Sequence, residues 1–426
     1  MHDNRNQRIN QISDTTLVVG IDIAKRNHYA CAVDERGREL KKSFVIRQCL
    51  QGFESFYATI LKLMSIHNKK EVIVGFEPTG HYWMNLAAFL SDHGIPYVLV
   101  NPLHVKQTKE LDDNLQSKND LKDARVIAKM MPQGYYSIPR EMTQIDSELR
   151  RGTAYRVRLK EESASIQNRI RRWIDLYFPE FASVIKGLGK QAQAILKYAP
   201  LPEDLLIFSP EELIDFLQTK GVRYLSKKKV ERLLQVAKHS IGLKDSIEMA
   251  RMEIKMLLDQ LFMYESQIQE LTENLVTLAR QLPDFDYLTS IPGISETTVL
   301  ELLSETGSLK RYKDPRQLFK LAGLTLVTNS SGESKGRKRI SKRGRRRLRA
   351  LLYKAVFPLL HSNSAFRALY DYYSNDREKP VTKKEALVIL CRKLLQICHG
   401  LSHYETTFDL ERMMGDMPFL SHPKAA

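Results

Sequence analysis

Four carboxylates in the N-terminal part of the chain have the residue type and spacing of a divalent-cation site. Asp22 ends the apolar run VVGID, and Glu77 directly follows the apolar run IVGF. Asp120 and Asp123 are three residues apart in KNDLKDARVIAKMM, a helical pattern that places both on one face. Hard divalent cations bind oxygen ligands that converge from several elements. The four acids therefore predict a site for two Mg²⁺ ions, which would stabilise the attacking and leaving oxygens of phosphodiester transfer.

Each of these acids taken singly has an ordinary structural explanation. An Asp or Glu at a strand end is often a cap, and Asp120 is a suitable N-cap for the helix that follows it. Four carboxylates in one place repel one another unless cations neutralise them, and this argues for a metal site over coincidence. Lys25, close to Asp22 in the sequence, is expected either to contact phosphate or only to offset the charge.

The elements that must position these acids follow one another in an informative order. The segments TLVVGIDIA, NHYACAVDE and ELKKSFVIR predict three strands, and LQGFESFYATILKLM predicts a helix. EVIVGF and PYVLVNP predict two more strands on either side of the helix MNLAAFLSDHG. This order over residues 16–140 is typical of an α/β RNase H-like fold, in which Asp22 and Glu77 lie on neighbouring strands. Residues 1–15 are polar, and we expect a disordered lead there.

The middle of the chain, residues 141–284, is predicted to be a helical linker domain that contains a coiled coil. Its first helix has a basic face, where Arg171 and Arg172 are candidates for nucleic-acid contacts. Further on, apolar residues recur at alternating spacings of three and four over about five heptads, as in a coiled coil. These residues are Ile247, Ala250, Ile254, Leu257, Leu261, Tyr264, Ile268, Leu271, Leu275, Leu278 and Leu282. The partner is either the 149–178 helix of the same chain or the same helix of another subunit, and one long core helix is the alternative.

Residues 285–405 are predicted to form a third, mostly α-helical domain. The segment YLTSIPGISETTVLELLSETGSL has the pattern of a helix-hairpin-helix element. In such an element the turn at Gly293 would expose backbone N–H groups to a phosphate. An ordinary tight turn between two helices explains the same residues. Residues 406–426 are expected to be a tail.

A dense basic run lies inside this domain, with ten Lys or Arg in residues 335–349. Like charges at this density repel one another unless phosphates cover them. Because the run passes directly into a helical pattern, we expect an ordered nucleic-acid-binding face. Its candidate contacts are Lys335, Arg337, Lys338, Arg339, Lys342, Arg343, Arg345 and Arg346.

Just before the basic run, the tripeptide Ser330-Ser331-Gly332 is predicted to lie in a polar turn. A serine beside many cations and near a metal site can attack phosphorus as an activated nucleophile. The tripeptide by itself more often marks only a loop.

The composition narrows the class of partner. The 426 residues carry a net charge of +16, which indicates a polyanionic partner. A basic membrane-surface protein is the competing class, but the sequence has no lipidation signal, no amphipathic terminus and no apolar run of membrane-spanning length. The cysteines lack metal-ligand spacing, and we expect them to stay reduced in a cytoplasmic protein. They are Cys31, Cys49, Cys391 and Cys398.

Taken together, these motifs resemble one class of insertion-sequence transposases. GIDIAK, GFEPTGHYW and the acid pair of KNDLKDA are similar to the RuvC-like DEDD domain of that class. LTSIPGIS, LAGLT, the SSG and GRKRISKRGRRRLR are similar to its C-terminal transposase domain. Relatives include the Piv-type DNA invertases and the bridge-RNA-guided recombinases. The family often has a proline where Leu326 follows Thr325 here, a departure that concerns only the local loop geometry.

The resemblance implies a bacterial enzyme that inserts and excises its element with a structured noncoding guide RNA. That RNA pairs with donor and target double-stranded DNA, while the protein reads backbone and shape. The active site would be composite, with the four acids of one subunit holding Mg²⁺ beside the serine of another. Ser331 would be the nucleophile, with Ser330 as the second choice, and would form a covalent protein–DNA intermediate. The resemblance also implies a homodimer, a tetramer in the synaptic complex, and association with the nucleoid.

Two other functions remain open from the residues alone. A RuvC-like nuclease or resolvase would need the four acids but would cut with a metal-activated water, and its serine would be only structural. A non-catalytic scaffold would use the coiled coil and the basic run, but it leaves the complete acid set and the element order unexplained.

Overall fold

A computed structural model of the protein describes residues 3–78, 80–112, 120–139, 142–222, 224–327, 330–331, 334–335 and 339–415. The chain divides into two compact units, Met1–Glu141 and Met142–Ala426, which are described separately. Among the described residues, no helix combines the length and apolar character that a membrane span requires.

The first unit is an α/β unit. Its strands are β1 (Thr16–Asp22), β2 (Asn27–Val33), β3 (Glu39–Arg47), β4 (Glu71–Phe76) and β5 (Tyr97–Leu99). Its helices are α1 (Asp3–Asn10), α2 (Leu50–Ile66), α3 (Trp83–Asp92), α4 (Pro102–Asp112) and α5 (Asp120–Met130). The predicted alternation of strands and helices is confirmed for these residues.

Within the described residues, the strands form one five-stranded sheet in the order β3-β2-β1-β4-β5. β1 pairs antiparallel with β2 and parallel with β4, so the two buried central strands run side by side. One face of the sheet packs on α2 and α3 through Leu17, Val19 and Ile21 of β1. The other face carries Val18 and packs on α5, so β1 alternates between two apolar layers.

The N-terminal segment differs from the prediction of a disordered lead. Residues Asp3–Asn10 form helix α1, and Ile12 is buried beneath the sheet. The helix is held by residues far away in the sequence: the Arg5 guanidinium lies 4.1 Å from the centre of the Tyr135 ring, and Tyr136 donates a hydrogen bond to the Arg8 carbonyl at 2.6 Å. Such long-range contacts stabilise a segment whose own composition is polar.

The second unit is mostly helical. Its helices are α6 (Gln144–Tyr177), α7 (Phe181–Val184), α8 (Lys190–Tyr198), α9 (Pro202–Leu206), α10 (Pro210–Thr219), α11 (Lys227–Lys238), α12 (Ile247–Ala279), α13 (Asp284–Thr289), α14 (Glu296–Thr306), α15 (Pro315–Ala322), α16 (Arg346–Ser362), α17 (Ser364–Asp371), α18 (Lys383–Tyr404) and α19 (Leu410–Gly415). Its short strands are β6 (Leu326–Val327), β7 (Ser330–Ser331), β8 (Ser334–Lys335) and β9 (Arg339–Ile340). A 3₁₀ turn at Leu309–Arg311 and a π-helical turn at Tyr372–Asp376 complete the described elements.

The two longest helices, α6 and α12, form an antiparallel hairpin. Trp173 near the end of α6 donates a hydrogen bond to the Ala250 carbonyl near the start of α12, at 2.9 Å. At the other end, Gly152 of α6 lies under Leu275 of α12. Most of the predicted 3-4 seam of α12 is buried or half-buried against this partner. The structure therefore supplies an intrachain partner for the seam, the first of the alternatives that the sequence left open.

The helical hairpin contributes to two apolar cores. One end packs with α7–α11 around Trp173 and Leu257, and the other end packs with α13–α18 around Leu275 and Ala279. The predicted boundary at residues 284/285 therefore does not separate two compact units. Because Leu149 and Leu275 belong to the same core as the C-terminal helices, the predicted linker domain and third domain form one body.

Candidate active site

The register of the sheet places the first two predicted acids side by side. In the parallel β1–β4 pair, Ile21 lies opposite Phe76, so the next residues are Asp22 and Glu77. Neighbouring strands are about 4.8 Å apart, so the two Cα atoms are separated by about one strand spacing. Because side chains alternate along a strand, Asp22 at the end of β1 projects from the same face as Val18, the face that α5 covers. Glu77 directly follows β4, and continuation of that strand by one residue would place it on the same face as Ile73. Both side chains are half-buried.

Two glycines allow α5 to lie directly on the two central strands. Gly20 and Gly75 are opposite each other in the register, each two residues before an acid. A Cβ on Gly20 would lie 2.2 Å from the Ala128 nitrogen, and a Cβ on Gly75 would lie 2.3 Å from the Met131 sulfur. Any larger residue at Gly20 would therefore push the helix off the sheet.

Helix α5 is oriented so that its N-terminal acids lie toward the end of the sheet that carries Asp22 and Glu77. Near the C-terminal end of the helix, Lys129 lies beside Gly37 in the turn between β2 and β3. That turn is at the end of the sheet where β1 begins. The helix passes over Gly20 at Ala124 and so runs antiparallel to β1. Its first turn, which carries Asp123, therefore approaches the end of the sheet where Asp22 lies.

Among the described residues, the predicted acids do not form a complete set of metal ligands. Asp123 is half-buried on α5, and Asp120 is the first residue of that helix, but the Asp120 side chain lies outside the described residues. Among the described residues, no three His, Cys, Asp or Glu side chains already converge as metal ligands.

The residues present nevertheless fit Mg²⁺ by donor chemistry. Mg²⁺ keeps several waters and is usually bound through one or two carboxylates together with substrate phosphates. The half-buried pair Asp22 and Glu77 supplies two carboxylates on adjacent strands. Lys25 is exposed in the loop after Asp22, where a phosphate could reach it.

A hydrogen-bond chain connects the loops that follow the two acids. The Ala24 N–H donates to His28 Nδ1 at 3.2 Å, and the other ring nitrogen of His28 contacts the Gln48 side-chain oxygen. Gln48 Nε2 donates to the Tyr82 carbonyl at 3.1 Å. His28 is completely buried, and this burial lowers its pKa, so the ring is neutral near pH 7.

Sequence reasoning missed these supporting residues. The glycines had a recognisable signal, since both acids occur in the pattern glycine, apolar residue, acid: Gly20-Ile21-Asp22 and Gly75-Phe76-Glu77. The contacts of His28 and Gln48 had none, because they join segments that only the folded sheet brings together.

The predicted nucleophile lies on a β-ladder of the second unit. Ser330 pairs antiparallel with Lys335, and Ser331 pairs with Ser334. Outside this pair of strands, Leu326 pairs with Ile340. Within the described residues of these two ladders, Ser331 is the paired residue that directly precedes Gly332 in the sequence. The side chains of both serines lie outside the described residues.

The basic run divides into structural and exposed cations. Arg345 donates to the backbone carbonyl of Glu305 in α14, and Arg349 donates to the Ala322 carbonyl at 2.9 Å. These two arginines therefore tie α16 to its neighbours. In contrast, Arg339, Lys342, Arg343 and Arg346 are exposed. The side chain of Lys335 and all of Arg337 and Lys338 lie outside the described residues.

The start of α16 is electrostatically suited to an anion. Arg345 is its N-cap without a side-chain capping bond, and the first turn contains no acid. Cations at the positive end of a helix dipole are unfavourable unless an anion offsets them. Arg346 and Arg347 are exposed in this turn.

The remaining predicted contacts have different surroundings. Arg171 and Arg172 are exposed on α6, and Arg171 donates to the Asn168 side chain at 2.7 Å. Gly293 has φ +93° in the turn between α13 and α14. A Cβ there would lie 3.2 Å from Leu359 Cα in α16, so packing within the protein already explains a glycine at this position.

The buried cysteines and their thiol pKa values agree with a reduced state. The four cysteines are free thiols, and only Cys49 is exposed. Burial raises the pKa of Cys31 to about 11 and that of Cys391 and Cys398 to about 12.

Comparison with known proteins assigns these features to one family. The transposase family model of the DEDD IS110 type matches residues 19–179, which include all four acids. The model described as Transposase IS116/IS110/IS902 family matches residues 286–371, which include the paired serines and the basic run. Together the two models match more than half of the chain.

Similar individual proteins extend over most of the chain. The IS116 insertion-element protein of Streptomyces clavuligerus is 24% identical, over 89% of this chain and 92% of its own length. The transposase for insertion sequence element IS1111A of Coxiella burnetii is 24% identical, over 80% of this chain and 78% of its own. The pilin gene-inverting protein of Moraxella lacunata is 26% identical over 35% of this chain and 48% of its own.

The matched regions make the protein a DEDD-type transposase, an enzyme of DNA strand transfer. More narrowly, the chain belongs to the IS110/IS116/IS902 family of insertion-sequence transposases.

Proposed function

We propose that this transposase exchanges donor and target DNA strands under the guidance of a noncoding bridge RNA. Its four acids would bind two Mg²⁺ ions, and its serine would attack the DNA. The observation that carries the proposal is the register that puts Asp22 beside Glu77 on the sheet face covered by α5. The strand order β3-β2-β1-β4-β5 supports the RNase H-like, RuvC-like assignment of the first unit.

The acids of the first unit would bind and orient the scissile phosphate through metal. Asp22, Glu77, Asp120 and Asp123 would hold Mg²⁺, which when bound supplies positive charge to the developing phosphorane oxygens. Asp22 and Glu77 are fixed by the sheet, while Asp120 and Asp123 are delivered by α5. Packing at Gly20 and Gly75 therefore sets the separation between the two acid pairs.

The serine of the second unit would perform the covalent step. Attack of the Ser331 hydroxyl on phosphorus would form a serine–phosphate ester with one DNA end and release the other end as a deoxyribose hydroxyl. Ser330 is the second candidate because it is the neighbouring residue. If the acids and the serine come from different subunits, the active enzyme is at least a dimer, and a tetramer in the synaptic complex.

Substitution of the acids tests the metal site. Asp22→Asn and Asp123→Asn should each abolish Mg²⁺-dependent excision of the element, because each removes a charged oxygen ligand. Asp92→Asn is the matched control, since Asp92 is exposed at the end of α3. Excision by the Asp22 variant at the wild-type rate would refute the proposed site.

Mass spectrometry tests which serine reacts. After incubation with donor and target DNA and nuclease digestion, the tryptic peptide containing residues 330–331 should carry a nucleotide. The adduct should disappear in Ser331→Ala and persist in Ser330→Ala. Mg²⁺-dependent cleavage without any adduct would instead support a RuvC-like nuclease that uses water.

Guide RNA binding is proposed from the exposed cations of the second unit. Arg339, Lys342, Arg343 and Arg346 are available for phosphates, and they add to the net charge of +16. RNA transcribed from the DNA flanking the gene should co-purify with the protein and be required for DNA exchange. Recombination at the full rate after ribonuclease treatment would contradict RNA guidance.

A further inference from the structure

The hydrogen-bonded pair of buried His28 and half-buried Gln48 connects the two segments that follow the predicted metal ligands Asp22 and Glu77. Asp22 is followed by the loop at residues 23–26, and Glu77 is followed by the segment that leads to Tyr82 and α3. The two segments are more than fifty residues apart in sequence. The register of the parallel β1–β4 pair ends at Ile21 and Phe76, so it does not itself align the segments that follow the two acids.

The direction of each hydrogen bond in the chain is fixed. Because the Ala24 N–H donates to His28 Nδ1, that nitrogen has no proton, and the proton of the neutral ring is on Nε2. His28 Nε2 therefore donates to Gln48 Oε1. This orients the Gln48 amide so that its nitrogen donates to the Tyr82 carbonyl at 3.1 Å.

Gln48 makes a second contact with the loop that follows Asp22. Its backbone N–H donates to the Arg26 carbonyl at 2.9 Å. The His28 ring is held in place by Phe53 of α2, whose ring centroid is 6.3 Å away in a stacked arrangement. Both ends of this hydrogen-bond network thus contact backbone groups of the segments that follow Asp22 and Glu77, and His28 is anchored in the apolar core against Phe53.

We propose that His28 and Gln48 are positioning residues that hold the loops after Asp22 and Glu77 at a fixed separation for metal and phosphate binding. The inference rests on the proposed metal site at these two acids. Residues that orient metal ligands through hydrogen bonds typically change metal affinity about 10–100-fold when they are replaced. The two side chains contact no substrate and act only through the loops.

Gln48→Met is the principal test because it keeps the length of the side chain and removes its hydrogen bonds. We expect faster amide hydrogen exchange in peptides covering residues 20–30 and 77–85, and an increase of about ten-fold in the Mg²⁺ concentration for half-maximal excision. The rate at saturating Mg²⁺ should change little. Gln51→Met, an exposed residue in the first turn of α2, is the matched control.

A second variant and a double-mutant cycle separate positioning from general stability. His28→Phe keeps an aromatic ring against Phe53 and removes both of its hydrogen bonds. Because both residues belong to one chain, the double variant should be no worse than either single variant in Mg²⁺ dependence. Additive effects of the two substitutions on Mg²⁺ dependence would contradict the proposal that His28 and Gln48 act through one hydrogen-bond network.

The result for Asp22→Asn separates this inference from the proposed function. If Asp22→Asn excises normally, the proposed metal site fails, and the exchange measurement alone then judges the connection between the loops. If Asp22→Asn is inactive but Gln48→Met has wild-type exchange and wild-type Mg²⁺ dependence, the positioning role of Gln48 is refuted.

Discussion

Replacement of Gly20 by alanine tests how α5 is held on the sheet. The added Cβ would lie 2.2 Å from the Ala128 nitrogen and 2.6 Å from the Ala124 oxygen, whereas ordinary contacts begin at 3.4 Å. Both obstacles are backbone atoms that cannot rotate away, so the helix must move by more than 1 Å. Overpacking in a core costs about 1–3 kcal/mol, and we expect a value near 3 kcal/mol for the first unit.

The same displacement should reduce activity more than the loss of stability does. A misplacement of about 1 Å in a catalytic group can lower the rate about 100-fold. Because Asp123 moves with the helix while Asp22 stays on β1, Gly20→Ala should lower excision about 100-fold at temperatures where the protein remains folded. Circular dichroism at the assay temperature verifies the folded state.

The two tryptophans allow the stability of the first unit to be measured separately. Trp83 lies in α3 of the first unit with its ring centroid 5.7 Å from that of Phe76, and Trp173 lies in the second unit. In a Trp173→Phe background, urea unfolding followed by fluorescence therefore reports only the first unit. Gly400→Ala, in α18 of the second unit, is the control: its Cβ meets nothing within 4 Å, and the unfolding of the first unit should not change.

The outcome that would refute the packing argument is a small effect of Gly20→Ala. A change below about 0.5 kcal/mol in the unfolding of the first unit, with wild-type excision, is the size of an ordinary surface substitution. It would mean that α5 does not lie on β1 at this glycine, and that the acid pairs are not set by this contact.

Three further predictions concern the second unit and the thiols. Burial raises the pKa of Asp284, so the folded state favours its protonated form and the stability of the protein falls as pH rises through that pKa. Asp284→Asn should remove this decline, as measured by thermal unfolding between pH 4 and pH 8. A pH profile of stability that is the same in the variant and the wild type would contradict this prediction. Arg345→Gln should destabilise the second unit by about 1.5–3 kcal/mol because the hydrogen bond of Arg345 to Glu305 is lost. Arg346→Gln should leave stability unchanged and reduce the slope of log binding constant against log salt concentration for nucleic-acid binding by about 1. Equal effects of the two variants would contradict the division of the basic run into structural and exposed cations. Native protein at pH 8 should be alkylated at one cysteine, the exposed Cys49, and rapid reaction of more than one thiol would show that the others are accessible.

The strands of the sheet and the positions of Asp22 and Glu77 at their ends could be predicted from the sequence. Apolar residues that recur with a period of two or of 3.6 directly indicate which face of a strand or helix is buried. Asp22 and Glu77 stand at the ends of apolar runs, and an acid next to such a run predicts a strand end. The same reasoning predicts the apolar seam of α12 but leaves its partner open, and the contact between Trp173 and Ala250 identifies that partner as α6.

What could not be predicted depends on contacts between distant segments. Helix α1 is polar and was expected to be disordered, but Tyr135 and Tyr136 bind its arginines across more than 120 residues of sequence. Likewise, Arg345 belongs to a run that charge alone assigns to nucleic acid, yet it is a structural contact of α14. Gly293 has a packing reason that a turn motif does not reveal.

The most direct test of the central claim is a denaturing gel of labelled DNA after reaction. The purified protein, RNA from its flanking region and Mg²⁺ are incubated with labelled donor and target DNA. We predict a labelled band that migrates with the wild-type protein, is absent in Ser331→Ala, and is absent together with all cleavage in Asp22→Asn. Cleaved DNA with no protein-linked band in either wild type or Ser331→Ala would contradict serine-mediated exchange.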